Sequence, residues 1–564
     1  MAIELSNLTF TEQDDVVPAS GVERIINTGV ANTLAGNDAI IGTNEINADV
    51  PPENDFSGFN GIFNFGTLNT ADGNDTITGT TLGLEGYWEG YGIYNADNIY
   101  AGDGNDIITG IDQTESVSGS YRYRKGSGLC ALTGTFDTGD GNDIITGISK
   151  EGDGIFLFGN SSIDTGKDND IITGTGFTSG LANFGSIDNG DGNDTITGTA
   201  SAVDSEFVNS IGINNYGTID TGNGEVVITG TGSTFGIYNQ GTINTGNNKD
   251  TLIYYGRFTN RGGVFLGDGN DSIIGDKELP SNDNSIYYNR FDNYNVIETG
   301  DGNDIITSRG FFYNYAQGII NTGNGEDSII AQDGLANTGR LVLGDGNDLL
   351  TAEPNFSLNN PSYEPYISNY NAIETGDGND EIFSVSSINN GDRPGSNHVI
   401  NTGNGDDLIR SLGGFDNRGE VFLGEGNDSL IVNREIYNFD IIETGDGNDM
   451  ITSWSIIYNN GTINTGNGQD SIIAEEGFDY GGSVLLGNGE DYIKGFGSGE
   501  LSGGNDEDTL ELTSGTYTVG RWYTAVTFTK GSSIMITSEF EKLIAGSTTY
   551  DFNSLTKGQT ITVA

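Results

Sequence analysis

The residues with the clearest chemical potential in this sequence are aspartates that follow closely spaced pairs of glycines. Residues 444–449 read T-G-D-G-N-D, and versions of this stretch return along most of the chain as G-[D/N]-G-x-D-x-[I/L]. Two glycines separated by one residue allow positive φ and a sharp turn, so several carbonyl oxygens can point toward one spot. The aspartate adds a carboxylate, and hard cations such as Ca²⁺ take roughly six to eight oxygen ligands. The unit therefore predicts a cation-binding turn.

An aliphatic residue two positions after the aspartate predicts that each turn leads directly into a β-strand. Side chains at positions i and i+2 of a strand lie on the same face, so a regular Ile at this spacing indicates a buried face. We expect these residues to point into a core: Ile77, Ile108, Ile145, Ile172, Ile196, Ile273, Ile306, Ile329, Ile451 and Ile472.

A second recurring element, x-Asn-x-Gly followed by an aliphatic residue, lies between the aspartate turns. It occurs at residues 238–243, 259–264 and 416–421. Asn and Gly tolerate positive φ, so this element predicts a second corner of each coil. Asn239 and Asn260 lie 21 residues apart, and we expect such asparagines to stack and to hydrogen-bond along the array.

The spacing of the turns predicts a repeat architecture. Gly405, Gly426, Gly447, Gly468 and Gly489 follow one another at intervals of 21 residues, and a fixed period of this length is typical of a solenoid. We expect one aspartate turn per coil, a single column of ions along one edge, an asparagine edge opposite, and two facing parallel sheets between them. The predicted domains are an N-terminal cap at 1–33, the repeat array at 34–510 and a C-terminal β cap at 511–564.

The aspartate unit resembles the nonapeptide G-G-x-G-x-D-x-U-x of the RTX (repeats-in-toxin) family, whose repeats form a Ca²⁺-binding parallel β-roll. The resemblance implies that the motif aspartate supplies the side-chain ligand and that turn carbonyls supply the rest. It points to these metal ligands: Asp75, Asp106, Asp143, Asp170, Asp194, Asp250, Asp271, Asp304, Asp327, Asp348, Asp380, Asp407, Asp428, Asp449, Asp470 and Asp491. Asp38 and Asp508 lie in degraded copies. Val226 stands where one copy should have its aspartate, and we expect a missing or weakened ion there.

The same resemblance implies a fold class and a way of leaving the cell. The fold is all-β, a right-handed parallel β-solenoid with a C-terminal β cap. RTX proteins carry an uncleaved C-terminal signal that a type I exporter reads. The repeat style is also similar to the oscillin-type surface fibril proteins of gliding filamentous cyanobacteria and to bacterial RTX surface-layer proteins.

The composition is strongly acidic, which narrows the classes of partner. The chain has 81 Asp and Glu against 22 Lys and Arg, a formal charge of −59. Such a chain repels itself when compact unless cations cancel the charge, and it lacks the basic surface that nucleic acid requires. The single cysteine, Cys130, excludes an intramolecular disulfide framework and is expected to be a buried small residue.

The chain shows no pattern of a membrane segment or a cleaved signal. Residues 1–21 lack the basic start and apolar run of a signal peptide, and no stretch approaches the roughly 18 apolar residues of a membrane span. We therefore expect a protein that does not span a membrane and that, if exported, does not use a cleaved N-terminal signal.

The sequence offers little support for catalysis. His398 is the only histidine, so two-histidine metal motifs and histidine relays lack partners, and no G-x-S-x-G elbow is present. Residues 137–143 are acidic, but a β-type run follows them instead of the helix-borne glutamate of an EF-hand. The alternative that stays open is an adhesin or polysaccharide-acting enzyme that uses loops inserted at 111–135, 276–290 or 353–370.

The outward positions of the strand after each aspartate turn hold Thr in some coils and Ile in others. Examples are Thr76, Thr78, Ile144 and Ile171. These β-branched residues are explained by strand preference alone, or they form a ridge that packs sideways against another rod. Threonine rows also suggest ice binding, but the sequence does not show the regularity that a flat lattice needs.

Taken together, these patterns predict a secreted, extracellular or cell-surface structural protein that folds when it binds multiple Ca²⁺ ions. Its expected partners are copies of itself, in an oligomer or filament, or cell-surface polysaccharide, together with type I secretion machinery. No enzymatic activity is expected, because the repeat takes up nearly the whole chain.

Overall fold

The computed structural model describes residues 2–18, 23–46, 59–85, 90–116, 125–202, 209–275, 289–354 and 365–564. The chain divides into two compact units, Met1–Asp301 (unit 1) and Gly302–Ala564 (unit 2). The predicted boundaries at 33/34 and 510/511 stay predictions. Both units are parallel β-solenoids, so the predicted fold class is confirmed.

Each coil is built from three short strands, which repeat in three stacks along the solenoid. In one coil of unit 2, Ser429–Val432 follows the aspartate turn, Ile436–Asn438 leads to the asparagine corner, and Ile441–Glu443 leads to the next aspartate turn. We call the stacks that contain these strands stack 1, stack 2 and stack 3. Stacks 1 and 2 belong to one sheet and stack 3 to another, so the two predicted sheets are present, but one of them is folded into two stacks.

In unit 1, the strands of stack 1 are Val16–Val17, Ala39–Ile46, Thr76–Glu85, Ile107–Ser116, Ile144–Ser149, Ile171–Gly176, Thr195–Ala200, Val227–Asn239, Thr251–Asn260 and Ser272–Gly275. Two of these, Val227–Asn239 and Thr251–Asn260, continue into stack 2. The other strands of stack 2 are Ala2–Glu4, Arg24–Asn27, Asn60–Asn64, Tyr91–Asn95, Ser127–Ala131, Asp153–Leu157, Ser179–Asn183, Ile211–Asn215 and Phe291–Asn293. Stack 3 contains Val30–Asn32, Thr67–Asn69, Ile99–Tyr100, Thr135–Asp137, Ser162–Asp164, Ser186–Asp188, Thr218–Asp220, Thr242–Asn244, Gly263–Phe265 and Val296–Glu298.

In unit 2, stack 1 contains Ile305–Ser308, Ser328–Ala331, Leu349–Ala352, Glu381–Ser384, Leu408–Ser411, Ser429–Val432, Met450–Ser453, Ser471–Ala474, Tyr492–Lys494 and Thr509–Leu512. Stack 2 contains Phe312–Asn314, Leu335–Asn337, Ile367–Asn369, Ile388–Asn390, Phe415–Asn417, Ile436–Asn438, Ile456–Asn459 and Gly477–Tyr480. Stack 3 contains Ile319–Asn321, Arg340–Val342, Ala372–Glu374, Val399–Asn401, Glu420–Phe422, Ile441–Glu443, Thr462–Asn464, Ser483–Asn488 and Gly499–Asn505.

In most strands an aliphatic or aromatic residue points into the core, and equivalent residues pair in register from coil to coil. Ile108 pairs with Ile145 in stack 1, and Ile442 pairs with Ile463 in stack 3. All of the isoleucines predicted to be inward are at most 1% exposed, which confirms the strand prediction. Cys130 is also buried, at 1% exposure.

The asparagine corners stack as predicted. In unit 1, the Nδ2 atom of Asn239 donates to Oδ1 of Asn260 at 2.9 Å, and in unit 2, Asn417 donates to Asn438 at 2.8 Å. Both corners are fully buried. The ladder runs without interruption from Asn314 to Asn459 in unit 2.

The ends of the array differ in strand direction. At the N-terminus, Ala2–Glu4 already pairs in parallel with Arg24–Asn27. At the C-terminus, Gly515–Trp522, Ala525–Lys530, Ser533–Ser538 and Thr560–Val563 form antiparallel pairs. A second antiparallel pair joins Lys542–Ala545 to Thr548–Asp551. These strands confirm the predicted C-terminal β cap.

The described chain contains short 3₁₀ helices at Leu5–Asn7 and Phe552–Ser554. Among the described residues, no helix has the length and apolar character needed to cross a bilayer. The central parts of the three predicted loop insertions, 117–124, 276–288 and 355–364, lie outside the described residues.

Candidate metal centre

The predicted metal-binding aspartates form one buried column in each unit. Each side chain of the sixteen is at most 2% exposed. Asp38 continues the column of unit 1 and Asp508 that of unit 2, with 2% and 0% exposure. The glycine turn places each carboxylate at the same point of its coil, one coil above the last.

The first carboxylate oxygen of each aspartate is held by the neighbouring coil. The backbone N–H of Asp75 donates to Oδ1 of Asp106 at 2.7 Å, and that of Asp106 donates to Oδ1 of Asp143 at 2.7 Å. The same bond recurs in unit 2, where Asp428 N–H donates to Asp449 Oδ1 at 2.9 Å. Because ionised acceptors make stronger hydrogen bonds than neutral ones, this ladder orients every carboxylate in the same way.

The second oxygen, Oδ2, is buried and has no hydrogen-bond donor in most of the column. This holds for Asp38, Asp75, Asp106, Asp143, Asp170, Asp194, Asp250, Asp348, Asp380, Asp407, Asp428, Asp449, Asp470, Asp491 and Asp508. A buried charged oxygen without a partner costs a few kcal/mol. Because this cost recurs in coil after coil, we infer that a group other than a protein donor binds each Oδ2 atom.

At Asp407, the neighbouring threonine does not take that role. Burial raises the pKa of the Asp407 carboxyl to about 7, and the nearby hydroxyl of Thr402 opposes this shift, but that hydroxyl donates to the carbonyl of Leu423 at 3.0 Å. One hydroxyl proton serves one acceptor at a time. The Oδ2 atom of Asp407 is therefore left without it.

Burial opposes ionisation along the column. Desolvation raises the pKa of Asp106, Asp170 and Asp348 to about 8, against the small lowering effect of the backbone hydrogen bond. For Asp428 and Asp470, the same cause raises the pKa to about 7. Without a cation, these carboxyls hold a substantial fraction of their protons at neutral pH.

The donor set suits a hard cation that takes one carboxylate per coil. Within the described ranges, no three His, Cys, Asp or Glu side chains converge on one point. A bound ion would therefore take the aspartate Oδ2 together with backbone carbonyls and water, which is an all-oxygen set of the kind that Ca²⁺ accepts. The orphaned oxygens and this chemistry fit a calcium ion.

The glycines of the turn are required by the close stacking of the coils as well as by backbone conformation. At Gly447, φ is 151°, and a Cβ atom would lie 1.5 Å from the carbonyl oxygen of Gly426. At Gly104, the corresponding distance to the Gly73 carbonyl oxygen is 1.6 Å. The two glycine positions thus bring carbonyl oxygens of one coil against the backbone of the next.

Val226 interrupts the column of unit 1. It is fully buried, and its N–H donates to Oδ1 of Asp250 at 2.9 Å, as an aspartate would. Its side chain offers no oxygen to the coil before it. The hydrogen bond to the following coil is therefore kept, whereas the bond from the preceding coil has no acceptor here.

Sequence reasoning missed a second ladder on the exposed side of the same turn. The N–H of Asn74 donates to the side-chain oxygen of Asn37 at 2.7 Å, and that of Asn448 donates to Asn427 at 2.9 Å. This residue directly precedes the column aspartate. Its recurrence as Asn in most copies is the signal that could have identified the ladder.

Comparisons with known proteins find similarity among solved structures. No protein-family model and no curated protein matches the sequence. Among solved structures, it is similar to the X-ray crystal structure of a hyperactive, Ca²⁺-dependent, β-helical antifreeze protein from an Antarctic bacterium. That match has 18% sequence identity and a TM-score of 0.26, and it covers 76% of this chain and 85% of the other. The parallel β-solenoid is shown by the strand pairing described above.

Proposed function

We propose that the protein is a secreted structural protein that binds several Ca²⁺ ions along its aspartate columns and folds when they bind. The observation that carries this proposal is the repeated, buried Oδ2 atom without a donor. An ion at each such atom would satisfy the oxygen and favour the ionised carboxylate.

The column aspartates would hold the ions, one carboxylate per coil, with turn carbonyls completing the ligand set. In unit 1 these residues are Asp75, Asp106, Asp143, Asp170, Asp194, Asp250 and Asp271. In unit 2 they are Asp304, Asp327, Asp348, Asp380, Asp407, Asp428, Asp449, Asp470 and Asp491. The bound ions would also offset the formal charge of −59, which otherwise opposes compaction.

The proposed place of action is outside the cell, in a surface fibril, layer or extracellular matrix. Extracellular calcium modules have Kd values of roughly 10⁻⁴ to 10⁻³ M, so sites of this class stay empty at cytosolic Ca²⁺ and fill outside. An RTX-type chain of this kind would leave through type I secretion machinery while unfolded. It would then assemble with copies of itself or with surface polysaccharide.

A calcium titration of chelated protein tests the proposal. Circular dichroism should show a cooperative gain of β signal, because each ion stabilises the folded state by mass action, and sedimentation should show contraction over the same range. Mg²⁺ at equal concentration should be much less effective, because it keeps its waters and demands octahedral geometry. A chain fully folded in chelator, with no heat of calcium binding, contradicts the proposal.

A matched pair of variants locates the binding. Asp449→Asn removes a buried column carboxylate, whereas Asp446→Asn removes an exposed carboxylate from the same turn. Both change the net charge equally. The first should lower the number of bound ions by at least one, as measured by equilibrium dialysis, and the second should leave it unchanged.

A further inference from the structure

One face of unit 1 is unlike the rest of the surface, because its outward side chains form regular columns of β-branched residues. In six successive coils of stack 1, threonines pair in register: Thr78, Thr109, Thr146, Thr173, Thr197 and Thr229. From the sequence we expect the threonine rows to be irregular. For this central column, that expectation is wrong. The irregular coil lengths of unit 1 conceal it, since the alignment appears only when strands pair.

The columns on either side of the threonines contain an apolar cluster. The first holds Thr76, Ile107, Ile144, Ile171, Thr195 and Val227, and the other holds Thr80, Ile111, Ile148, Thr175, Thr199 and Thr231. Ile107, Ile148 and Ile171 are 39%, 38% and 41% exposed. Isoleucines therefore flank the central threonine column, in the second to fourth coils on one side and in the second and third coils on the other.

No charged residue interrupts this face, although the chain as a whole carries a formal charge of −59. The equivalent positions of unit 2 include Glu381, Arg410 and Lys494. Two copies of so acidic a chain repel one another wherever carboxylates meet. A face without carboxylates is where a second copy can approach at the smallest electrostatic cost.

We propose that this threonine and isoleucine face of unit 1, which we call the TI face, binds the TI face of a second copy. The same patch would serve both copies, related by a twofold axis, in an isologous interface. Two such sheets would pack with side chains interdigitated, about 10 Å apart. This proposal deepens and rests on the assembly part of the proposed function, but the TI face contains none of the predicted calcium ligands.

The size of the TI face sets the expected strength. Six coils about 4.8 Å apart and three outward positions per strand cover roughly 25 by 15 Å. Burying this face on two copies would remove on the order of 1,000 Å² of surface, which is at the low end for specific interfaces. The pairing should therefore be reversible, and it should strengthen with added salt, which screens the acidic flanks.

Sedimentation equilibrium of the full chain in saturating Ca²⁺ tests the proposal with a matched pair of variants. Ile171 and Ile305 are both 41% exposed at the first outward position of a stack 1 strand, the former in the TI face and the latter in unit 2. Ile171→Glu should weaken dimerisation about tenfold or more, because it places a charge among the isoleucines of the proposed contact. Ile305→Glu should leave it unchanged. Equal effects of the two, or a monomer at every concentration and salt level, overturn the proposal.

Cross-linking gives a second readout that does not depend on a destabilising change. Thr173→Cys should be cross-linked between copies by a bismaleimide that spans about 10 Å, the distance between packed sheets, and Thr452→Cys in unit 2 should not. Absence of a Thr173→Cys cross-link from a protein that sediments as a dimer also overturns the proposal. Calcium binding measured in parallel separates the outcomes, since a monomer that still binds Ca²⁺ defeats the TI interface and leaves the calcium proposal standing.

Discussion

In most coils of unit 1 the stack 1 strand runs past a buried glycine, whereas in most coils of unit 2 it ends at a buried serine, alanine or valine. Gly110 of unit 1 occupies the place that Ala331 and Ser411 occupy in unit 2. A Cβ atom on Gly110 would lie 2.2 Å from the carbonyl oxygen of Gly128 in stack 2. The glycines let stacks 1 and 2 of unit 1 approach backbone to backbone.

This difference accompanies the TI face of unit 1. With the glycine in place, Ile107–Ser116 is 10 residues long and Thr195–Ala200 is 6, whereas the strand Ser429–Val432 has 4. The longer strands expose a third outward column.

Unit 2 is more regular at the opposite corner. Its asparagine ladder is continuous, while in unit 1 Ala131 and Leu157 stand in register between Asn95 and Asn183. Completeness of the ladder does not follow coil length, because the asparagines of the unbroken ladder in unit 2 lie 21 to 32 residues apart. The aspartate column is the feature that both units share.

The largest effect on stability is expected from adding a side chain between stacks 1 and 2 of unit 1, where their backbones are in contact. Gly110→Ala places a methyl group against a backbone carbonyl that cannot move without its neighbours, so it should destabilise unit 1 by roughly 3 kcal/mol or more. Gly159→Ala is the control, because its nearest neighbour would be the Phe184 carbonyl at 3.5 Å. Hydrogen exchange by mass spectrometry reads both units at once, and a loss confined to unit 1 supports the comparison. Equal tolerance of both variants would break it.

The next largest effect concerns the asparagine ladder. Asn417→Ala removes two donated bonds, to Asn438 Oδ1 and to the Ile441 carbonyl, and two accepted bonds, from Asn390 and from the Gly419 N–H. Leaving buried polar groups unpaired costs about 1–3 kcal/mol. Asn95→Ala should cost less, because Asn95 is followed by Ala131 and donates only to the Thr135 carbonyl. Denaturant unfolding of the two variants measures the difference, and a larger loss for Asn95→Ala contradicts the assigned role of ladder continuity.

A smaller effect is expected where the aspartate column differs between the units. Val226→Asp should complete the column of unit 1 and add one bound ion, and Asp449→Val should remove one from unit 2. Without Ca²⁺, the first change buries another carboxylate and should destabilise unit 1. Ion counting by equilibrium dialysis, with hydrogen exchange in chelator, measures both. An unchanged ion count in either variant argues against one ion per coil.

The smallest effect per site is the pH dependence of the column. Burial raises the pKa of Asp348 to about 8 and that of Asp407 to about 7, above the ordinary value of 3.8. Because the folded-state pKa is the higher one, the ion-free fold is favoured at low pH, and this stability is lost as pH rises from about 4 to about 8. Calcium requires the ionised form, so its apparent affinity should rise several-fold between about pH 6 and pH 8.

Calorimetry in two buffers of different ionisation enthalpy measures the protons released on calcium binding. Asp449→Asn should release fewer protons than Asp446→Asn, which changes an exposed carboxyl of the same turn. If calcium binding releases no protons, the column carboxyls are already ionised in the ion-free fold, and the stated pH dependence fails.

The sequence was informative wherever one residue type repeats at a fixed position. Ile108, Asn239 and Asp449 were placed correctly on the inward face, the asparagine corner and the aspartate turn, because each must fit the same residue in the next coil. The division of one sheet into two stacks was not predicted, since the bend lies in segments of variable length. The register of Thr146 with Thr173 also depends on strand pairing across unequal loops. The calcium ligand roles themselves stay predictions.

The aspartate ladder has a direction, and this gives the two ends of a coil stack different chemistry. Each coil offers an N–H to the coil that follows it and a carboxylate oxygen to the coil before it. At the last coil, the N–H of Asp508 donates to Oε2 of Glu541 in the cap at 2.9 Å, and Glu541 comes from a strand connection outside the repeat. Glu541 therefore takes the place that the aspartate of a further coil would occupy. The last N–H donor of the ladder is paired within the molecule and is not available to another chain.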